Sequence, residues 1–159
     1  MNTGNSDKLG DYYGALPGNV QTNSRAELVA LEVAMQLTWL SPHQHFRIFT
    51  DCEYAKKGIR LWLDKWQSNG WMTGAGSRVS HADVWRKIAG WMKKFKAVED
   101  VGMGSMKIVH VKAHSGIEGN ERADKLAGMG SRLRFDTMVR SKPRGWFRNM
   151  VEKYWSNRI

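Results

Sequence analysis

Hydrophobic residues recur along the chain at two spacings, one helical and one β-like. Apolar residues at helical spacing over residues 24–40 predict a first helix, with Ser24 as its N-cap and Glu27 completing a capping box. This prediction puts Glu27 in the first turn. Residues 46–50 form a short apolar, β-branched run, which is typical of a buried strand, and this strand delivers Asp51 at its end.

The second half of the chain continues the alternation. Helical patterns cover residues 53–66 and 82–95 and are separated by a glycine-rich turn region. Residues 106–112 alternate as a strand does, and residues 120–129 predict a helix that includes Asp124. The order of helix, strand, helices, strand and helix predicts an α/β fold.

Composition and charge narrow the classes of partner. The 159 residues are 42% hydrophobic and carry 25 Lys or Arg against 15 Asp or Glu, a net charge of +10. This balance favours a polyanionic partner, nucleic acid above all.

The single cysteine, Cys52, excludes an internal disulfide and a thiolate zinc site. No stretch is long enough to cross a bilayer and the opening residues lack the features of a secretory signal, so we expect an intracellular protein. Its compartment is left open, with the mitochondrion and the nucleus as the two candidates.

The composition of the chain becomes more basic and aromatic near residue 131. Residues 131–159 hold eight Lys or Arg against two acids, interleaved with aromatic residues. After Pro143 the pattern predicts a basic amphipathic helix. One face of that helix would hold Trp146, Met150 and Tyr154. We therefore divide the chain into a domain of residues 1–130 and a basic, aromatic C-terminal extension of residues 131–159.

Three carboxylates stand next to predicted element ends or within predicted helices. They are Glu27, Asp51 and Asp124. Each has an ordinary structural explanation alone, but together they are the oxygen ligands that Mg²⁺ needs from several directions. Two such ions activate a water and stabilise the leaving oxygen of a phosphodiester. His114, in a glycine-containing loop, would relay a proton or help product leave.

Five sequence blocks carry a resemblance to a known family. They are QTNSRAEL (21–28), FTDCEYAKKGI (49–59), WQSNGWMT (66–73), VSHADVW (79–85) and VKAHSGIEGNERADKLA (111–127). In order and separation they resemble the type 1 ribonuclease H family, which cuts RNA in RNA/DNA hybrids. The resemblance implies a ribonuclease H-like mixed sheet flanked by helices.

The resemblance also implies roles for individual residues. Glu27, Asp51 and Asp124 match three of the family's four metal ligands, which implies Mg²⁺, and His114 matches its mobile catalytic histidine. Asn23 falls where the family contacts the minor groove of the hybrid. The remaining nucleic-acid contacts implied are Thr22, Lys56, Lys57, Lys65, Trp71 and Arg78. Trp66 and Trp85 are assigned to the core.

The chain departs from the family at its beginning. The family's first strand carries a metal-binding aspartate in an Asp-Gly-Ser sequence, and the 26 residues before Glu27 contain no such sequence. The β-compatible run of residues 12–16 corresponds to the family's third strand, so we expect a domain without the first two strands. A separate chain, a refolded N-terminal segment or the tail run of residues 133–139, which includes Asp136, would fill the gap. In the family's phosphate pocket, which uses Arg, Thr and Asn, the alignment gives Val20, Thr22 and His81.

Two functions follow. In the first, the chain is a metal-dependent endonuclease on RNA/DNA hybrids that needs another segment to supply the missing aspartate, so the isolated chain is inactive. In the second, it is a catalytically inactive ribonuclease H-like subunit of a large ribonucleoprotein, such as an organellar ribosome. Both imply a nucleic-acid partner and a protein partner that supplies strands or docks the C-terminal helix. An incomplete gene model is a third explanation for the missing strands.

Overall fold

The chain forms two compact units. The computed structural model describes residues 11–16, 19–40 and 45–133, and the backbone of 138–140. One unit is residues 18–121, and the other combines residues 1–17 with residues 122–159. In chain order the elements are β1 (Tyr12–Gly14), α1 (Asn23–Trp39), β2 (His45–Thr50), α2 (Glu53–Lys57), a π-helical turn (Gly58–Trp62), α3 (Leu63–Ser68), α4 (Ala82–Asp100), β3 (Ser105–His110), α5 (Glu118–Gly130) and β4 (Met138–Arg140).

The sheet of the 18–121 unit is a parallel pair. Strand β2 pairs with β3 from His45 opposite Ser105 to Thr50 opposite His110. Because the two strands run in the same direction, both end at one edge. Residues on one face of the pair enter the core, namely Phe46, Ile48, Met106 and Ile108. The opposite face exposes Arg47, Phe49 and Lys107.

Helices α1 and α4 pack side by side and run in the same direction. At their beginnings Arg25 and Asp83 form a bidentate ion pair, with nitrogen to oxygen distances of 2.9 and 2.7 Å. Near their ends the rings of Trp39 and Phe95 meet edge to face at 5.3 Å between centroids. The N-termini of both helices therefore lie at the same end of the unit.

Apolar and aromatic side chains fill the interior between these helices and the strands. The buried hydrophobic residues of this core are Leu28, Leu31, Met35, Ile48, Ala55, Leu63, Val79, Val84, Trp85, Ile88, Ala89, Phe95 and Met106. Trp85 is fully buried, and its Nε1 donates to the hydroxyl of Tyr54 at 3.1 Å. Gly58 lies directly against the Trp85 ring, so a Cβ at that position would overlap the indole. Trp66 is partly buried against the same cluster. Both Trp85 and Trp66 therefore pack in the core, as the sequence predicted.

The start of α1 differs from the sequence prediction. The N-cap is Thr22, whose Oγ1 accepts from the backbone N–H of Arg25 at 3.2 Å, and not Ser24. Thr22 has the extended backbone that an N-cap needs, whereas Ser24 is already helical. Glu27 consequently lies in the second turn, and the prediction that it completes a capping box in the first turn was wrong.

The other elements agree in type with the predictions and differ in their bounds. The helix predicted over residues 53–66 is divided by the π-helical turn into α2 and α3. Helix α4 continues to Asp100, five residues beyond the predicted end. The α/β class is confirmed. Within the described part of the chain, no helix has the length and apolar character required to cross a membrane.

The second unit contains an antiparallel strand pair. Strand β1 pairs with β4, from Tyr12 opposite Arg140 to Gly14 opposite Met138. At the end of α5, Gly130 lies so close to Gly14 that a Cβ would be 2.6 Å from the Gly14 carbonyl oxygen. Within the same unit the Asp11 carboxylate accepts from Arg122 Nε at 3.0 Å and from Arg122 Nη2 at 2.6 Å.

The tail run of residues 133–139 therefore overlaps a strand that pairs with β1. Asp136 and the helix expected after Pro143 lie outside the described residues. The division into residues 1–130 and 131–159 stays a prediction.

Candidate active site

Polar residues gather where the two parallel strands end. Asp51 directly follows β2, and the backbone N–H of Val111, directly after β3, donates to the carbonyl of Thr50 at 2.9 Å. At the same edge Glu53 Oε2 lies 3.2 Å from Nε2 of His110, the last residue of β3. Sites of α/β proteins are commonly built at this edge, outside the carboxyl ends of the strands.

Glu27 and Asp51 both act on the thiol of Cys52. Cys52 is the N-cap of α2, and its Sγ accepts from the N–H of Ala55 at 3.4 Å. Burial raises the pKa of this thiol, and the negative charges of Glu27 and then Asp51 raise it further. The two carboxylates, 24 positions apart in sequence, are therefore near enough to influence one sulfur atom.

Asp51 is oriented by a residue that the sequence analysis did not single out. Asn120, in the first turn of α5, donates from Nδ2 to Asp51 Oδ2 at 3.0 Å, and both side chains are partly buried. The second oxygen, Oδ1, has no hydrogen-bond partner among the described residues. Asn120 belongs to the Asn-Glu-Arg-x-Asp segment. Only Asp124 of that segment was predicted as a site residue, because a carboxylate is charged and suggests metal binding, whereas an amide is neutral.

His114 lies in a loop with unusual backbone geometry. Its φ is +50° and that of Gly116 is +76°, so two left-handed residues turn the chain between β3 and α5. A ring nitrogen of His114 and a carboxylate oxygen of Glu121 lie within 4.8 Å of each other. Glu121 was also not predicted. Asp124 follows three residues later on α5, exposed, and is part of the second unit.

Two of the predicted phosphate-binding lysines are engaged by Glu53. Lys56 Nζ lies 3.1 Å from Glu53 Oε2, and Lys57 Nζ lies 3.8 Å from Oε1. The Lys56 hydrogen bond lowers the pKa of Glu53, with smaller contributions from the charges of His110 and Lys57. Contact between these lysines and phosphate would compete with Glu53.

The N-termini of α1 and α4 bring another predicted group together. Thr22 Oγ1 lies 3.4 Å from His81 Nε2, and Asn23 is the first residue of α1. Burial lowers the pKa of His81, and the charge of Arg25 lowers it further, so this ring favours the neutral form. Two parallel helix N-termini also present positive dipole ends at one place.

The remaining predicted contacts lie on or near a short hairpin. Trp71, with φ +67°, begins it, and a single β-bridge joins Met72 to Arg78. The guanidinium of Arg86 in α4 stacks over the Trp71 ring at 5.5 Å from its centroid. Lys65, in α3, is exposed, as is Arg78.

The donors at the strand edge suit a hard divalent cation. Glu27 and Asp51 offer carboxylate oxygens, which Mg²⁺ prefers, and the raised pKa of Cys52 disfavours a thiolate ligand beside them. In the described part of the chain, this edge holds the Asp51 carboxylate beside the orienting amide of Asn120. A carboxylate oriented in this way can bind a divalent cation.

Comparisons with known proteins identify the family of this chain. The model of the family described as RNase H matches residues 3–132. Curated relatives include a ribonuclease H of Cyanothece sp., 34% identical over 106 residues, and one of Francisella philomiragia, 36% identical over 106 residues, each alignment covering 67% of this chain. A ribonuclease HI of Pseudomonas aeruginosa is 37% identical over 109 residues, or 69% of the chain. The chain spans 61%, 62% and 66% of the length of these three relatives.

Solved structures give the same result. A foamy viral protease-reverse transcriptase in complex with an RNA/DNA hybrid matches with a TM-score of 0.60 and 25% identity, covering 74% of this chain and 15% of that chain. The solution structure of the PFV RNase H domain matches with a TM-score of 0.56 and 28% identity, covering 72% of this chain and 67% of that chain. The fold, the motif order and the sequence relatives agree, and this chain belongs to the ribonuclease H family.

Proposed function

We propose that this chain binds nucleic acid and contributes the metal site of an endonuclease that hydrolyses RNA in RNA/DNA hybrids. The observation that supports the proposal is the Asp51 carboxylate at the end of β2, held by a hydrogen bond from Asn120, with the charge of Glu27 also felt by the neighbouring thiol of Cys52. Family membership supports the substrate class, since one solved relative is a complex with an RNA/DNA hybrid.

In the proposed hydrolysis, the metal ion and the side chains of the protein have different roles. Bound Mg²⁺ would supply an activated water and stabilise the leaving oxygen. Glu27, Asp51 and Asp124 would hold the ions, and Asn120 would keep the Asp51 carboxylate in one orientation. His114, in its left-handed loop, would move a proton to or from the reacting groups.

A further carboxylate, supplied by another segment, is part of the proposal. Three carboxylates leave a two-metal site short of negative charge, and the sequence contains no Asp-Gly-Ser strand. The isolated chain would therefore bind nucleic acid but cut slowly or not at all, and the complete native assembly would cut.

The test compares three versions of the chain, each purified by a tag together with its native partners. Wild type, Asp51→Asn and Asp64→Asn are incubated with Mg²⁺ and a hybrid labelled on its RNA strand. Asp64 is exposed on α3 and serves as the matched control. We expect cutting by wild type and Asp64→Asn, and a loss of at least 100-fold in Asp51→Asn. Absence of Mg²⁺-dependent cutting in the native assembly contradicts the proposal.

A second function is favoured by the charge of residues 131–159, which hold eight Lys or Arg against two acids. In this alternative the chain is a non-catalytic subunit of a ribonucleoprotein, such as an organellar ribosome. Deleting residues 140–159 would then release it from the particle, whereas Asp51→Asn would leave it incorporated. Incorporation of the deleted chain at the wild-type level contradicts the alternative.

A further inference from the structure

The outer face of α4 carries charge of one sign. Between Val84 and Val98 the helix has five Lys or Arg and no acid. The acids of α4 stand only at its ends. The exposed cations of this segment are Arg86, Lys87, Lys93, Lys94 and Lys96.

Four of the five cations form two rows along one face. Because seven residues are almost two full turns, Arg86 aligns with Lys93 and Lys87 with Lys94, about 10 Å apart along the axis. The buried residues of α4 lie on the opposite side. Lys96 is off this face and is paired with Asp100 at 2.9 Å. We call Arg86, Lys87, Lys93 and Lys94 the α4 basic face.

Aromatic rings stand at both ends of the α4 basic face. Lys94 Nζ lies 4.3 Å from the centroid of the Trp91 ring and 5.9 Å from that of Trp39, which is 39% exposed. At the other end Arg86 stacks on Trp71. Among the described residues, no carboxylate forms an ion pair with any of the four cations. The attraction of the rings holds two of the charges in place while leaving them uncompensated.

We propose that the α4 basic face is a second nucleic-acid contact, which binds the phosphate backbone of a strand outside the candidate active site. A solvated helix face normally mixes charges of both signs, and a single sign instead fits a polyanion. Phosphates advance by about 3.4 Å along a duplex per strand, so the rows match phosphates about three steps apart. Exposed Trp39 offers a ring for stacking an unpaired base.

The face is continuous with a predicted contact. Arg86 touches Trp71, and α4 begins beside Thr22 at the start of α1. A nucleic acid bound at those residues can extend along α4, which is about 28 Å long for its 19 residues. The inference rests on the proposed nucleic-acid binding, and it adds to that binding a surface that contains none of the candidate metal-binding carboxylates.

The test removes equal charge from two surfaces. One variant is Lys93→Gln with Lys94→Gln, and the control is Arg47→Gln with Lys107→Gln, a neighbouring pair on the exposed face of β2 and β3. Because Lys94 contacts aromatic rings, Lys87→Gln with Lys93→Gln is a second variant that disturbs no ring contact. Binding of the full chain to a labelled 20-base-pair RNA/DNA hybrid and to a 20-nucleotide single-stranded RNA is measured by anisotropy in EDTA at several salt concentrations.

We expect both α4 variants to bind either probe at least about ten-fold more weakly at 0.1 M salt, with the salt slope reduced by about 1.8 on the hybrid. The control should change affinity less than about three-fold, because screening weakens charges away from the contact. Equal effects of the α4 variants and the control, or normal binding by the α4 variants, overturn the proposal. If the wild type binds neither probe, nucleic-acid binding itself is wrong, and this inference falls with it.

Discussion

The interior between α1 and α4 and the carboxyl edge of the parallel strands are built on opposite principles. The interior buries Leu28, Met35 and Trp85 completely. At the edge, Asp51 is only partly buried and accepts a hydrogen bond from Asn120, and His110 contacts the exposed Glu53. Burial of apolar area stabilises a fold far more than exposed polar pairs do. Substitutions in the interior should therefore change stability, and substitutions at the edge should change chemistry.

Each region also contains a carboxylate that shows how the surroundings decide its use. Glu32 is 2% exposed between the helices and accepts from Trp91 Nε1 at 3.2 Å. Asp51 is only partly buried and accepts from Asn120 through one of its two oxygens. A carboxylate buried between packed helices serves packing, whereas one beside a strand end can bind an ion.

The largest effect expected is on stability, from a single methyl group in the interior. Gly58→Ala would place its Cβ into the Trp85 ring, which is fully buried and cannot move aside. Overpacking of about 3 kcal/mol, reduced by about 1 kcal/mol of improved helix propensity, should lower the free energy of unfolding by about 2 kcal/mol. Urea unfolding measures this change.

Gly90→Ala is the matched control, because Gly90 lies in α4 with no atom within 4 Å of its would-be Cβ. Here only helix propensity acts, so the free energy of unfolding should rise by about 0.5 to 1 kcal/mol. If the two substitutions changed the free energy of unfolding equally, the Trp85 ring would not prevent the interior from accommodating a methyl group at position 58.

At the edge, Asn120→Ala should act on chemistry and leave the fold nearly unchanged. Loss of the hydrogen bond frees the Asp51 carboxylate to rotate, and loss of such a supporting residue reduces metal affinity or activity about ten-fold or more. The free energy of unfolding should fall by only about 1 kcal/mol. Calorimetric titration with Mg²⁺ and cleavage by the native assembly measure the first effect, and urea unfolding measures the second.

Gln67→Ala removes an exposed amide of α3 and is the control for this substitution. It should leave Mg²⁺ affinity and cleavage at wild-type values. A result in which Asn120→Ala behaves like Gln67→Ala would remove Asn120 from the site.

Local patterns predicted the elements, and their limits explain what was missed. Periodicity located α1, β2, α4 and β3, because each buries one face, and it also located α5, although Gly130 is the one buried residue of that helix. The N-cap of α1 was misplaced because Thr22 and Ser24 are both good caps, and Glu27 three residues after Ser24 resembles a capping box. Backbone conformation, which the sequence does not display, decided for Thr22.

Long-range contacts were the larger gap. Asn120 bonds to Asp51 across 69 positions, and Arg25 to Asp83 across 58. No periodicity connects such residues, and only the parallel pairing of β2 with β3 and of α1 with α4 brings them together. The predicted carboxylates could be chosen because their charge suggests metal binding, whereas the neutral Asn120 could be identified only from the fold.

The smallest effect is expected at the ion pair that joins the starts of α1 and α4. The Arg25 hydrogen bonds hold the pKa of Asp83 below its ordinary value. Because the pKa of Asp83 is lower in the folded state than in the unfolded state, the ion pair stabilises the fold at pH values above the unfolded-state pKa of about 3.9. This stabilisation is lost as the pH falls through the folded-state pKa. Asp83→Asn should therefore reduce the free energy of unfolding by about 0.5 to 1 kcal/mol at pH 7.

The difference between wild type and Asp83→Asn should shrink as the pH falls below about 4, because protonated Asp83 resembles asparagine. Urea unfolding at pH 7 and pH 3 measures it, with Asp100→Asn as the control. Asp100 pairs with Lys96 inside α4 and does not connect the helices, so its loss should matter less at pH 7. A difference for Asp83→Asn that stays constant from pH 7 to pH 3 would mean that the charge on Asp83 does not hold the two helix starts together.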